Sequence, residues 1–437
     1  MMSADDEKPK PRKRKIKDLR FDAMALGYRF ESSGIGFSQR HTEPPPIKDD
    51  VFHRGDEHAL VFAPTGKGKG VSLLIPTLLT YTGPAIVVDI KGEAAQVTAQ
   101  RRRDMGQKVF VIDPFRVTTN TPDKFNPLDL HLINSCGADV DAEMFATMLS
   151  TGKRGEDTYW LDTATPLVAG AIAHHLTANE NQDRNFNTVR KFIRDDEFDY
   201  TLAKLLDDKK VSSRFAHEEF ATYLQICSDR TRPCVLSTAR SFLRSLCSDA
   251  VADSLESTSF DWKELLGGEP MTIYFVIPPS KLASHQALIR LWIGSLMLGL
   301  STRCKHHGQR TLLLLDEAAQ LSQLEILKTL FTLMRGYGVQ VVAFYQDLSQ
   351  IMEIFPRDWE TIINNAGVLA AFGLSNFRMA NRWSEYFGMD PAELLRIDRQ
   401  NMAIWTPNEG AQILRRLNYL TDPRYQGLFD PNPRFEK

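Results

Sequence analysis

The stretch from Leu60 to Ile90, LVFAPTGKGKGVSLLIPTLLTYTGPAIVVDI, constrains the fold more than any other. Two apolar runs, LVFA and AIVVDI, read as strands buried on both faces. A Gly/Lys-rich turn and an apolar segment of helical length lie between them. Strand, glycine turn, helix, strand is the layout of a phosphate-binding loop. Glycines let the backbone fold tightly around an anion with its N–H groups turned inward, and the following helix adds its positive end. The candidate cradle is Ala63, Pro64, Thr65, Gly66, Lys67, Gly68, Lys69, Gly70 and Val71, with Lys69 expected to reach the β- and γ-phosphates of a nucleotide. The match to GxxxxGK[ST] is imperfect at both ends. Ala63 stands at the first glycine, and Gly70 replaces the Ser or Thr whose hydroxyl ligates Mg2+. Taken alone, the stretch also suits a surface turn.

A second segment, TLLLLDEAAQ from Thr311, narrows the choice. Four consecutive leucines suit a central parallel strand. Asp316 and Glu317 follow where that strand emerges, and open α/β sheets bind ligands at the carboxyl ends of their strands. Asp316 suits Mg2+, directly or through water, and Glu317 suits orienting and deprotonating an attacking water. The same pair would also cap a helix opening near Ser322. Loop and acids together point to ATP or GTP hydrolysis.

Other candidates keep two readings each. Arg335 ends an amphipathic pattern before Gly336, as a cation favouring the helix dipole or as an arginine finger for a neighbouring subunit. Gln346, after VQVVAFY, is a γ-phosphate sensor or a helix cap. Asp89 and Asp113 also end strands, and capping is favoured over a role behind the metal. Arg101–Arg103 and Lys108 read as a solvated helix face rather than a DNA contact.

The net charge of −2 leaves attraction to nucleic acid to local patches. The five cysteines show neither CxxC nor metal spacing and read as reduced thiols. His174–His175 and His306–His307 read as surface or helix-end pairs. The most apolar segment, Ala287 to Leu300, contains Arg290 and is too short to span a membrane. The charged N-terminus lacks a signal-peptide pattern.

Alternating β and α patterns from Val51 predict an α/β fold with a doubly wound, mainly parallel sheet. The alternation stops near Pro127, and helical patterns alone run from Ala138 to Trp262. The expected organisation is a basic tail and linker over 1–50, the nucleotide-binding domain over 51–137 and 263–437, and an all-α insertion over 138–262. Residues after Thr406 are expected to form an ordered wrap. Residues 8–17, KPKPRKRKIK, form a basic arm suited to anionic lipid or nucleic acid.

HALVFAPTGKGKGVSLLIPTLL, VVDIKGEAAQVTAQRRR, VFVIDPF, FNPLD, LLLLDEAAQL, MRGYGVQ and YQDLSQI, in this order, resemble the type IV coupling proteins, the TraG-like conjugative DNA-transfer ATPases. The similarity runs from about Gly55 to Trp405. It implies a RecA-like P-loop NTPase with an all-helical insertion, ATP and Mg2+ as cofactors, and a homo-hexamer with ATP between subunits. It also implies delivery of single-stranded DNA bound to relaxase, or of effector proteins, to type IV secretion channel subunits. Lys69 matches the loop lysine, Asp316 and Glu317 the metal and base acids, Arg335 the finger and Gln346 the sensor. With Gly70 lacking a hydroxyl, water or Ser72 would complete the Mg2+ shell. The family usually begins with transmembrane helices, and none is read here. The expected location is therefore cytoplasmic, peripheral at the cytoplasmic face of the inner membrane through residues 8–17. Two alternatives stay open: an FtsK/HerA-like double-stranded DNA translocase, and a non-hydrolysing, nucleotide-gated substrate receptor.

Overall fold

The computed structural model describes residues 19–30, 47–133, 137–150, 158–177, 184–226, 230–303, 309–321 and 326–435. The basic arm at 8–17 and the His306–His307 pair lie outside these residues. Among the described residues there are eleven strands: β1 (Met24–Phe30), β2 (Ile47–His53), β3 (His58–Phe62), β4 (Ala85–Asp89), β5 (Lys108–Ile112), β6 (Met271–Val276), β7 (Thr311–Leu315), β8 (Val339–Tyr345), β9 (Ala366–Ala371), β10 (Asn401–Thr406) and β11 (Gly410–Arg415). They form one sheet in the order β2-β1-β11-β10-β9-β3-β8-β7-β4-β6-β5. From β9 to β5 every pairing is parallel. The remaining strands extend the sheet antiparallel.

The apolar runs are buried on both faces, as a parallel sheet covered by helices requires. Along β7, Leu313 and Leu315 join the core on one face, and Leu312 and Leu314 join the core on the other. The first core continues without a break into the helices that follow β5. Between β5 and β6 the described residues form helices and no strand. There the helix Tyr159–Leu176 packs against Ala138–Leu149, Arg214–Leu224 and Thr231–Phe242. The apolar helix Gln286–Ser301 is buried and tied to this layer by Arg290, whose Nε donates to the Met148 carbonyl at 2.7 Å. Among the described residues no helix is long and apolar enough to cross a membrane.

Part of the stretch expected as a tail and linker over 1–50 instead supplies β1 and the start of β2 to the sheet. Two further local outcomes differ from the sequence expectations. The region around Thr406 supplies a hairpin, β10 to β11, closed at Gly410 with φ +68° and paired onto β9. Only the residues beyond it wrap, setting Tyr419, Tyr425 and Leu428 over Ile75, Leu79 and Val97. The second difference is at Arg101 and Arg102, which are buried rather than solvated or free for DNA. Arg102 donates to Thr272 Oγ1 (2.8 Å), Gln107 Oε1 (2.6 Å) and the carbonyls of Gly83 (2.6 Å) and Tyr81. Arg101 donates to the carbonyl of Leu79 at 3.1 Å. The Leu79 and Tyr81 carbonyls belong to the end of the helix Ile75–Thr80 and that of Gly83 to the loop after it, and the buried cations satisfy them. Arg103 is exposed, and Lys108 pairs with Glu264 at 2.5 Å.

Candidate nucleotide site

The loop after β3 is set by hydrogen bonds at both ends. Ala63 N donates to Tyr345 O at 3.0 Å, which carries the β3–β8 pairing one residue further. Lys67 N closes a turn on Pro64 O at 3.2 Å. Gly66 and Gly68 take φ +77° and +86°, a region that suits glycine and lets the chain turn this tightly. Thr65, Gly66 and Lys67 face solvent, whereas Lys69 is 6% exposed. The helix that follows opens with a wide turn, Gly70–Leu74, in which Ile75 N donates to Gly70 O. Pro76 explains this geometry. It has no N–H for the Ser72 carbonyl, and the wider turn relieves the clash its ring would make there. Ser72 is buried, and its hydroxyl lies 4.0 Å from where a Cβ on Gly68 would sit. From outside, Arg416 stacks over Phe372 at 4.5 Å and donates to Lys67 O at 2.6 Å.

Four adjacent strands bring their carboxyl-end side chains to one point. Lys69 follows β3, Gln346 follows β8, Asp316 and Glu317 follow β7, and Lys91 follows β4. Lys69 Nζ stands 3.4 Å from Glu317 Oε1 and 3.4 Å from Tyr345 O. Lys91 Nζ is 3.4 Å from the same Glu317 oxygen and 4.0 Å from Asp316 Oδ2. Gln346 Nε2 donates to Glu317 Oε2 at 3.0 Å. The two halves of the site, distant in sequence, therefore converge. Glu317 sits at φ +55°, a backbone state that costs a non-glycine residue about 1–3 kcal/mol and fixes where its carboxylate points.

The electrostatics separate the two acids. Burial pushes Asp316 up to about 6; Lys91 opposes that rise and the neighbouring Glu317 adds to it. Burial also acts to raise Glu317, but the Gln346 hydrogen bond and the two ammonium groups outweigh it and hold the carboxylate below its ordinary value. Burial lowers Lys69, with Glu317 opposing. Behind the site, Asp89 is fully buried and accepts from the N–H of Ala95 (2.9 Å) and Lys91 (3.2 Å), as a cap does. Asp113 accepts from Thr118 N at 2.6 Å.

Arg335 is not part of this cluster. It lies in the turn Met334–Tyr337 before β8, the end opposite Gln346, and the helical segment stops at Gly338 (φ +73°) rather than Gly336. A seven-residue strand separates the two ends by roughly 23 Å. Arg335 is about half exposed and pairs with Asp56 at 2.6 Å and Glu57 at 3.4 Å. Sequence reasoning missed Lys91 and Arg416. A lysine two residues past a strand's last aspartate was a usable signal for Lys91. Arg416 gave none, because its place depends on the unforeseen hairpin.

Comparisons with known proteins agree with this architecture. A family model described as type IV secretory system conjugative DNA transfer matches residues 39–396. The conjugal transfer protein TraG of Escherichia coli is 27% identical over 367 residues, covering 78% of this chain and 57% of TraG. The type IV secretion system-coupling protein VirD4 of Bartonella quintana is 28% identical over 318 residues, covering 70% of this chain and 49% of VirD4. The chain thus spans about half the length of the curated relatives it matches. Among solved structures, the bacterial conjugative coupling protein TrwB in unbound form superposes with a TM-score of 0.62 at 15% identity, covering 82% of this chain and 84% of that one. TrwB in complex with ADP and Mg2+ gives 0.61 at 16% identity, covering 86% and 88%. At this identity the likeness establishes the RecA-like fold.

Proposed function

This chain belongs to the type IV secretory system conjugative DNA transfer family, and we propose that it is an ATP-hydrolysing coupling protein that recruits DNA, nucleoprotein or effector substrates and drives them to a type IV secretion channel. The observation that carries this reading is the 3.4 Å meeting of the Lys69 ammonium with Glu317, beside Asp316, at the open ends of adjacent parallel strands. In this reading the loop N–H groups cradle the phosphates, and Lys69 exchanges Glu317 for the β- and γ-oxygens. Asp316, with Ser72 in support, holds Mg2+. Among the described residues no three His, Cys, Asp or Glu side chains converge to hold a metal alone. That suits an ion which leans on one or two carboxylates, waters and substrate phosphates. When bound, Mg2+ neutralises charge on the phosphate oxygens. Glu317 orients and deprotonates the attacking water, and Gln346 reports the γ-phosphate. TrwB complexes with ADP and Mg2+, and with a non-hydrolysable ATP analogue, support ATP and Mg2+ as the ligands.

Arg335 lies about one strand length from its own chain's site, so it serves as a finger only across a subunit interface. Head-to-tail contacts that place each Arg335 at a neighbour's site give a ring where the rotation closes, and we propose that ring as a homo-hexamer. The helical unit at 138–262 is the proposed platform for single-stranded DNA, relaxase or effector. Residues 8–17 are the proposed contact with acidic lipid at the cytoplasmic face of the inner membrane, at about 1 kcal/mol per Lys or Arg.

The test is ATP turnover as a function of protein concentration, with and without single-stranded DNA. Turnover per chain should rise with concentration as sites complete. Lys69→Ala should abolish it without unfolding the chain, and Arg335→Ala should remove the concentration-dependent rise. Full activity in Lys69→Ala excludes this site.

A further inference from the structure

The residues of the VVDIKGE block divide their tasks. Asp89 caps the helix Glu93–Asp104. Gly92 has φ +70°, and a Cβ there would lie 2.6 Å from Thr118 Cγ2. Glu93 is clamped by Asn432 Nδ2 at 2.7 Å and Arg434 at 3.7 Å. Lys91 instead sends its side chain, 29% exposed, toward the two acids at the mouth of the site.

Glu317 Oε1 is therefore shared by two ammonium groups at the same 3.4 Å. The two are not equivalent. Lys69 sits at the phosphate loop, whereas Lys91 extends β4, the strand beside β7 on the side away from Gln346. A triphosphate in the loop offers Lys69 more negative charge than one carboxylate does. Once Lys69 has turned to it, Glu317 keeps Gln346 on Oε2 and Lys91 on Oε1, one partner from each neighbouring strand. A carboxylate held through both oxygens cannot swing, and reaction geometry tolerates little misplacement. Resting on the ATPase reading above, we propose that Lys91 is a positioning residue, the fixed cation that keeps Glu317 aimed while Lys69 is engaged with the phosphates.

The experiment compares full-length wild type, Lys91→Ala, Lys91→Met, Lys91→Arg and Lys69→Ala. It measures kcat and KM for ATP, affinity for a fluorescent non-hydrolysable ATP analogue, and thermal melting. Lys91→Ala and Lys91→Met should lose about 10- to 100-fold in kcat, the range for a lost charged hydrogen bond. Their analogue affinity should stay within about threefold of wild type, as expected for a loss felt only in the reaction. Lys91→Arg should recover most of the rate, and Lys69→Ala should lose binding itself. Unchanged kcat in folded Lys91→Met overturns the proposal. So does a kcat loss matched by an equal loss of analogue affinity, which would make Lys91 a phosphate ligand. A wild-type chain that binds the analogue but never turns over ATP overturns the ATPase reading, and the positioning role falls with it.

Discussion

Replacing Glu317 with Gln should lower turnover and tighten nucleotide binding in the same molecule. In the structure the carboxylate faces two ammonium groups at 3.4 Å, with side-chain exposures of 9% for Glu317, 6% for Lys69 and 29% for Lys91. At an effective dielectric of about 20, each pair has a gross Coulomb energy of about 5 kcal/mol. Desolvation removes much of that, so a net of about 1–3 kcal/mol for the Lys69 pair is the realistic scale. Glu317→Gln forfeits this in the empty chain, leaving two cations opposite Asp316 alone. A bound triphosphate then takes Lys69 without breaking an ion pair and without facing a second carboxylate. The expected gain in affinity is about 5- to 150-fold. Turnover should fall by about 10²–10⁴, the usual share of a positioned base. The assay pairs titration of a fluorescent ATP analogue in Mg2+ with melting curves in its presence and absence. The empty variant should melt earlier than wild type, and ligand should raise its melting temperature by more. Wild-type affinity together with an unshifted empty-state melt would refute the idea that Glu317 and nucleotide compete for Lys69.

Two further substitutions test the surroundings. A Cβ at Gly70 meets no heavy atom within 4 Å, so Gly70→Ser should fold normally and reach half-maximal turnover at lower Mg2+; an unmoved Mg2+ titration would show that a hydroxyl there does not reach the metal. Asp89 is pushed up to about 7, chiefly by burial, with the Ala95 N–H opposing. The folded chain therefore retains a proton that the unfolded chain releases near pH 4, and stability should fall as pH rises from about 4 to about 7. Asp89→Asn should flatten that decline in denaturant melts between pH 5 and 8, and curves parallel to wild type would refute the assignment.

Leu60–Ile90 and TLLLLDEAAQ showed their structure in sequence because the information is local. Continuous apolar runs mark strands buried on both faces, and glycines mark the turn that an anion needs. What stayed hidden is non-local. The place of Lys91 just past β4 is legible locally, but its partner is not: β4 lies beside β7, and no sequence pattern states that adjacency across a long helical stretch. Arg101 and Arg102 look like solvated cations at a helix end, but the carbonyls that bury them come from residues 79–83 on another segment. The hairpin from Asn401 carries the apolar runs MAIW and AQIL on either side of a turn at Pro407–Gly410, but the prolines after Thr406 give the stretch the look of a tail.

Strand β8 carries Gln346 at one end and leads from Arg335 at the other. Its central backbone is bonded to β3 and β7 on its two sides, which makes it stiff along its length. In a closed ring, the amide that registers what one pocket holds and the guanidinium offered to the next pocket would be two tips of a single rod. Occupancy would then pass around the circle as a small axial displacement, with the order of firing set by the handedness of assembly and no separate relay element required.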